Sequence, residues 1–274
     1  MKKRILLLTL CALLMGGGVA NAQFFNNWYF NPYGTGFGAA IEITEYFDLT
    51  GIAYVENTIT GSGPAGTFTD HGVFKSFSHD GGSGWPSDIE ITATFVATGT
   101  FTDLASGTFT FDPGGTLEIY ADPSPDYGTP TDIYGANNGT LIGVWTLVSG
   151  GGQLENAVPN GDISVYFTAT YLASDYWFTP SGVDMSTLAP PIIAISLATT
   201  NASVTAPNST VVPEFGDWFD PDPPGTSNRP LQLWMSNNGQ YRVGVVPEPA
   251  TMLLLGSGLA GLAGFAKRRK SSKK

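Results

Sequence analysis

The feature that most constrains the fold is a recurrent alternation of β-branched or aromatic residues with polar ones, broken at short intervals by glycine, proline or asparagine. Side chains that alternate at period two point to opposite faces of an extended strand. Residues 163–172 lack glycine and proline, so a helix is possible there. Their alternation and their β-branched and aromatic content nevertheless favour a strand. Residues 23–246 therefore predict an all-β fold, a β-sandwich of jelly-roll-like type.

Further strands are predicted at 41–47, 51–55, 87–102, 107–120 and 140–148, the last bounded by a run of three glycines at 150–152. Glycine and proline also dominate the segment 179–230, which we interpret as a loop-rich connection with one strand at 192–199. The alternative is a second small domain in this segment.

Two short patterns complete the strand prediction. Asn238-Gly239 lies between two alternating runs, and this pair is the strongest short-range sign of a β-hairpin. The predicted hairpin places Trp234 and Tyr241 on one face, toward the core. The phrase Gly-Thr-Phe-Thr recurs at 66–69, 99–102 and 107–110, but its irregular spacing excludes a solenoid repeat.

The first 22 residues have the three parts of a secretory signal peptide. A basic start is followed by an apolar stretch at 5–15 and by Ala20-Asn21-Ala22, whose small residues Ala20 and Ala22 suit signal-peptidase recognition. We expect cleavage after Ala22 and export of the chain. The single cysteine, Cys11, lies in this segment, so disulfides and cysteine-bound metals are excluded from the mature protein.

Between residues 23 and 246 the chain carries three cationic residues against 22 acidic ones, a formal charge of −19. Such a surface repels nucleic acid and anionic lipid, so neither is an expected partner. Solubility outside the cell is the plain interpretation of this charge.

Residues for catalysis are few. The histidines, His71 and His79, each adjoin an aspartate, and two serines lie between them, at 76 and 78. Neither a G-x-S-x-G turn nor an H-E-x-x-H helix is present, so no catalytic residue is assigned and a non-enzyme is predicted. The glycines that follow Asp80 predict an exposed loop for His79 and Asp80.

Two acidic segments could supply oxygen ligands to calcium. They contain Asp217, Asp220 and Asp222 in one case and Asp122 and Asp126 in the other. Their spacing fits no EF-hand, so the prediction is no cofactor, with calcium as the alternative.

Trp85 stands between a glycine and a proline, and we predict that it is exposed. Exposed aromatic rings stack on the C–H faces of sugars, which makes Trp85 the candidate glycan contact.

The C-terminal segment has three parts in order: Pro247-Glu248-Pro249, an apolar span at 250–266, and a cluster of lysines and arginines. The span predicts a single transmembrane helix of about 25 Å, with the basic cluster in the cytoplasm and the body outside. The two prolines hold Glu248 in extended backbone.

Together, these parts at 247–270 resemble the PEP-CTERM sorting signal. The resemblance implies that exosortase recognises Pro247, Glu248 and Pro249 and removes the tail. It further implies export across the inner membrane of a Gram-negative-type bacterium. The precursor would be anchored in the membrane, and the mature protein would be extracellular or on the cell surface, with exopolysaccharide as its partner.

The segments 42–51, 72–74 and 115–123 are similar to phrases of the flocculation-associated group of PEP-CTERM proteins. That resemblance implies a role in floc or biofilm formation through exopolysaccharide. The expected function is therefore a structural protein of the matrix or cell surface. The alternatives are a polysaccharide-binding, lectin-like module and a hydrolase of matrix polymers.

Overall fold

The computed structural model describes residues 23–60, 63–103, 107–130, 132–155, 160–188, 193–205 and 232–245. Two compact units divide the chain: the body, Phe24–Gly244, and a unit formed by Met1–Gln23 with Val245–Lys274. Gln23 and Val245 are the described residues of the second unit. The predicted signal peptide and the predicted helix at 250–266 lie outside the described residues. Among the residues that are described, no helix has the length and apolar character needed to cross a membrane.

The body is built almost entirely of antiparallel β-structure, which confirms the all-β prediction. Two short 3-10 helices lie at Phe37–Ala39 and Met185–Thr187. The strands of the described residues are β1 (Gln23–Phe24), β2 (Trp28–Phe30), β3 (Ile41–Ile43), β4 (Phe47–Ile59), β5 (Gly66–His79), β6 (Ser83–Gly84), β7 (Glu90–Asp103), β8 (Thr108–Phe111), β9 (Thr116–Asp122), β10 (Thr140–Glu155), β11 (Asn160–Leu172), β12 (Trp177–Phe178), β13 (Ile193–Thr205) and β14 (Gln232–Val245).

Hydrogen-bonded pairing runs around a closed circuit of strands. From β4 it passes through β5 and β7 to β8 and β9, and then through β10, β11, β13 and β14 back to β4. The two halves of this sheet face each other across one core, which is the sandwich-like arrangement that was predicted. The predicted jelly-roll connectivity is wrong. The strands of the circuit pair in almost the order in which they occur in the sequence, whereas a jelly roll needs crossing connections. Among the described strands, each member of the circuit therefore has a pairing partner on both sides.

Glycines lie directly opposite phenylalanines at several positions of this sheet. Gly66 pairs with Phe101, and Gly99 pairs with Phe68. The first two copies of the Gly-Thr-Phe-Thr phrase are therefore antiparallel partners. A Cβ atom at Gly99 would lie 2.3 Å from the Phe68 ring and 2.3 Å from the carbonyl oxygen of Thr110. The missing side chain therefore makes room for the aromatic ring across the backbone.

The same pairing explains why β10 continues through its glycine run, which was predicted to end the strand. Gly150 lies opposite Phe111, and Gly152 lies opposite Phe109. The rings of Phe109 and Phe111 are 5.5 Å apart and perpendicular. These glycines therefore belong to the interior of a strand and not to a turn.

The predicted C-terminal hairpin is wrong. Asn238 and Gly239 lie inside β14, where they pair with Thr50 and Leu49 of β4, so the strand runs straight through them. In a continuous strand, residues 234 and 241 fall on opposite faces, whereas the hairpin would have placed them together. Tyr241 is buried in the core, and the side chain of Trp234 lies outside the described part. The strand predicted at 163–172 is confirmed as β11.

A second sheet, with the order β12-β2-β3, packs onto the core of the closed sheet. Its Trp28 and Trp177 are fully buried and stack with ring centroids 6.0 Å apart. Trp28 also contacts Phe47 of β4, and the indole nitrogen of Trp177 donates a hydrogen bond of 2.8 Å to the carbonyl oxygen of Ile142. The aromatic residues near the mature N-terminus are therefore largely core residues.

Candidate functional site

The turn after β5 is organised by one carboxylate. Asp80 accepts hydrogen bonds from the backbone amides of Thr44, Glu45 and Tyr46 at 2.7–3.2 Å, and its Oδ2 lies 3.1 Å from Nδ1 of His79. Burial alone would raise the pKa of Asp80, but these hydrogen bonds outweigh it and hold that pKa below its usual range. The exposed loop predicted here is wrong, because His79 is buried and Asp80 is only partly exposed.

Trp85 packs against this turn and is partly buried, so the prediction of an exposed ring is wrong. Its ring makes edge contacts with Phe30 and Phe47 at centroid distances of 5.5 and 4.8 Å, and a tilted contact with His79 at 5.2 Å. Its indole nitrogen donates to Oγ of Ser76 at 3.1 Å. Trp85 therefore anchors the β6 region to the core, and its role as a glycan contact stays a prediction.

The histidine and aspartate that are adjacent at 70 and 71 do not form a pair. They alternate along β5, so Asp70 shares the core face with Phe68 and Phe74, whereas His71 shares the outer face with Val73. Burial raises the pKa of Asp70 to about 7 and lowers the pKa of His71 to about 4. Asp70 and His71 thus lie on opposite faces of the sheet although they are neighbours in the sequence.

The serines between the histidines are engaged in structural hydrogen bonds. Oγ of Ser78 donates to Oδ2 of Asp48 at 2.8 Å, and Oγ of Ser76 donates to the carbonyl oxygen of Asp48 at 3.0 Å. The backbone amide of Gly81 also donates to Asp48. This arrangement holds the end of β5 to β4, and neither serine has the geometry of an activated nucleophile.

One group of acidic side chains has the geometry of a cation site. Glu90 of β7 and Asp122 of β9 are direct pairing partners, and Asp126 follows in the segment after β9. One carboxylate oxygen from each of the three lies within 4.8 Å of the others. Glu90 and Asp122 are 2% and 5% exposed, so two of the three carboxylates are almost completely buried.

Contacts around this acidic cluster (Glu90, Asp122 and Asp126) are well defined. Oε2 of Glu90 lies 2.8 Å from Nζ of Lys75, and its Oε1 accepts from the backbone amides of residues 126 and 127. Oδ1 of Asp122 accepts from the backbone amide of Ser124. Its Oδ2 is buried without a hydrogen-bond donor.

The sequence identified Asp122 and Asp126 as candidate calcium ligands but missed Glu90. The register of β7 against β9 is what places Glu90 opposite Asp122, and that register is not readable from spacing along the chain. The other proposed calcium ligands, Asp217, Asp220 and Asp222, lie outside the described residues. So do Ala20, Ala22, Pro247, Glu248 and Pro249, whose roles in processing stay predictions.

Comparison with protein families matches residues 245–270 to the PEP-CTERM protein-sorting motif. The match confirms the resemblance seen in the triplet, the apolar span and the basic end, and it begins two residues before the predicted start at 247. Comparisons with curated proteins and with solved structures found no match.

Proposed function

From the premise that this chain carries a PEP-CTERM protein-sorting motif, and is thus a secreted protein that exosortase processes, we propose that it is a structural protein of the extracellular matrix or cell surface. In this proposal its role is not enzymatic, and it acts in association with exopolysaccharide in biofilm or floc formation. The observation that carries the proposal is the sorting motif.

The position of the motif supports this function. Strand β14 ends at Val245, and the motif begins at the same residue. Residues Gln232–Tyr241 of this strand pair with β4, and every described strand of the body precedes the Pro-Glu-Pro triplet. Removal of the tail after this point would leave the circuit of strands complete. The precursor would be held at the membrane by the tail, and a folded body would be released.

The residues that a hydrolase would need support a non-enzymatic role. His79 is tied to Asp80, the serine hydroxyls at 76 and 78 are bound to Asp48, and His71 is buried on the outer face of β5. The acidic body, with its formal charge of −19, suits a hydrated polymer matrix.

The processing step is tested by mass spectrometry of the protein recovered from cells and from the medium. We expect no peptide from residues 252–274 in the exported protein, and we expect such peptides to persist in a strain that lacks exosortase. A variant with Pro247→Ala and Glu248→Ala should retain the tail in the normal strain. An intact tail on the exported protein of the normal strain would contradict the proposal.

The matrix role is tested by deletion of the gene and by cosedimentation of the protein with extracted exopolysaccharide. We expect the deletion to weaken flocs or biofilm, and complementation with the whole chain to restore them. Unchanged flocs and biofilm in the deletion strain would refute the role.

The lectin-like alternative is favoured by the aromatic rings that remain at the surface, which include Tyr166 and Tyr171 of β11 at 43% and 46% exposure. It predicts saturable binding of a defined saccharide that falls when either tyrosine is replaced by alanine. Trp85→Ala is a poor test alone, because Trp85 packs against the core.

A further inference from the structure

The carboxylates of the acidic cluster, on the outer face of the sheet, repel one another, and their contacts within the protein do not offset this repulsion. Glu90 and Asp122 face each other directly across β7 and β9. Like charges at directly opposed positions of an antiparallel pair destabilise a sheet. Here both carboxylates are also nearly excluded from water, so solvent screens their repulsion poorly.

The charge balance sharpens this problem. Within the described residues, one cationic side chain reaches the cluster, Lys75, which contacts Glu90 at 2.8 Å. The other described cation of the body, Arg242, pairs with Glu45 at 2.9 Å. Among the described residues, the three carboxylates of the cluster therefore face one cationic side chain.

Oxygen atoms remain for a ligand. Oδ2 of Asp122 is buried without a donor, although burial of an unpartnered charged oxygen is costly. Oδ2 of Asp126 accepts a hydrogen bond from the side-chain amide of Asn138 at 2.9 Å. Each carboxylate oxygen has two lone pairs, and Oε1 of Glu90 already accepts two hydrogen bonds. Glu90 can still coordinate through Oε2, which contacts Lys75.

The backbone around Asp126 makes room for its carboxylate. Gly135 has a φ of +70°, and a Cβ atom there would lie 2.7 Å from Oδ1 of Asp126 and 2.6 Å from its carbonyl oxygen. Any other residue at 135 would displace the carboxylate from this position. The described residues of 123–139, that is 123–130 and 132–139, are called here the covering segment. This segment thus has a glycine where the acidic group needs space.

The covering segment folds over the outer face of the sheet. Tyr127, Ile133, Tyr134 and Ala136 pack on Tyr54 and Val73. The hydroxyl of Tyr127 donates to the carbonyl oxygen of Val73 at 3.1 Å, and Oγ1 of Thr92 donates to that of Ala136 at 2.8 Å. Three consecutive non-glycine residues, Asp132 to Tyr134, have positive φ values of 45–65°, a conformation that costs free energy. An additional interaction that holds this segment would offset that cost.

We propose that Glu90, Asp122 and Asp126 bind a divalent cation, specifically calcium, which fixes the covering segment onto β7 and β9. The ligands are hard carboxylate oxygens, which calcium prefers, and the cluster offers neither the thiolate nor the imidazole ligands typical of zinc sites. Calcium also accepts irregular geometry better than magnesium, which requires a near-ideal octahedron. The cation would add positive charge beside the three carboxylates and satisfy Oδ2 of Asp122.

The proposal is tested on the full chain, purified in a mild detergent and stripped of metal with a chelator. Calcium chloride is added during isothermal titration and thermal unfolding, with magnesium chloride and potassium chloride of equal ionic strength in parallel. We expect a calcium dissociation constant on the order of 10⁻⁴ to 10⁻³ M, the range of extracellular modules. Calcium should raise the unfolding midpoint and slow proteolysis within 123–139, magnesium should act more weakly, and potassium should have no comparable effect.

Two variants distinguish this site from general charge screening. Asp122→Asn keeps the shape of the side chain and should lose the calcium response at least tenfold. Without calcium it should be as stable as the unsubstituted chain or more so, because a like charge is removed, and this shows that it folds. Asp112→Asn, at an exposed turn outside the cluster, should keep the full response. The proposal is overturned if about 10 mM calcium has no effect on the unsubstituted chain, or if Asp122→Asn responds as strongly as Asp112→Asn.

Discussion

Neighbouring acidic residues of this chain have different roles because their backbones differ. Asp80 lies in a turn with a φ of 52°, and its carboxylate reaches both the adjacent His79 and three backbone amides. Asp70 lies within β5, where adjacent side chains point to opposite faces, and it is separated from His71. The side chains of an adjacent aspartate and histidine therefore contact each other in this turn, whereas in the strand they point to opposite faces.

The burial of Asp70 and His71 makes a prediction about pH. The pKa of Asp70 is about 7 in the folded protein, above its usual 3.8, so the folded state binds more protons and stability falls as pH rises from about 4 to 7. The pKa of His71 is about 4, below its usual 6.5, so stability rises as pH increases from about 4 to 6.5. In the unsubstituted protein these two slopes oppose each other.

Single substitutions should reveal each slope. Relative to the unsubstituted chain, Asp70→Asn should make the free energy of unfolding increase with pH from 4 to 7, and His71→Gln should make it decrease from 4 to 6.5. Each change in slope is at most about 1.4 kcal/mol per pH unit, the limit for one proton. Denaturant unfolding across this pH range measures both. A profile of Asp70→Asn that is parallel to that of the parent would contradict the assignment.

At the scale of the element, the strands depend on paired glycine and phenylalanine. Gly51 faces Phe74, Gly66 faces Phe101, and Gly99 faces Phe68 on one side and Phe111 on the other. The first two copies of the Gly-Thr-Phe-Thr phrase are therefore explained by cross-strand pairing, and they do not mark a stacked structural repeat. Two strands with this phrase, paired in antiparallel, place each ring over the other's glycine.

Gly99→Ala tests this pairing. The added Cβ would lie 2.3 Å from both a Phe68 ring carbon and the Thr110 carbonyl oxygen, so ring and backbone must shift. We expect a loss of about 1–3 kcal/mol in the free energy of unfolding, the usual cost of overpacking. The matched control is Gly82→Ala, because a Cβ there has no heavy atom within 4 Å. The control should change stability by less than about 0.5 kcal/mol. Equal effects of the two substitutions would refute the explanation.

At the scale of the whole molecule, β14 closes the circuit between β4 and β13. It contributes the buried Met235, Tyr241 and Val243 to the core. Burial of each such side chain contributes about 1.5–3 kcal/mol, so the strand accounts for a large part of the 5–15 kcal/mol that stabilises a typical domain. The sorting motif follows this strand directly, and the fold is therefore complete only just before the tail.

Truncation separates the strand from the tail. A chain that ends at residue 246 should unfold cooperatively with the midpoint of the whole protein, because it keeps all described strands. A chain that ends at residue 231 should lose cooperative unfolding, because β4 and β13 lose their shared partner. Circular dichroism with thermal unfolding compares the two. A cooperative transition at the same midpoint in the shorter chain would show that β14 is dispensable.

Local pattern in the sequence was sufficient for the all-β class, for strand β11, and for the sorting motif, since each depends on residues that are near one another in the chain. The motif is matched by its linear sequence, so its residues Pro247, Glu248 and Pro249 are informative without a fold. Period-two alternation is likewise a local property of a strand.

Only the tertiary structure decided which strands pair and what each side chain faces. Asn238-Gly239 has the chemistry of a turn, yet these two residues continue strand β14 because they pair with Thr50 and Leu49 of β4. Trp85 is flanked by turn residues, yet Phe30 and Phe47 cover its ring. Glu90 meets Asp122 only through the register of two strands. Pairing and register depend on the burial of the whole core, which no short segment of the sequence contains.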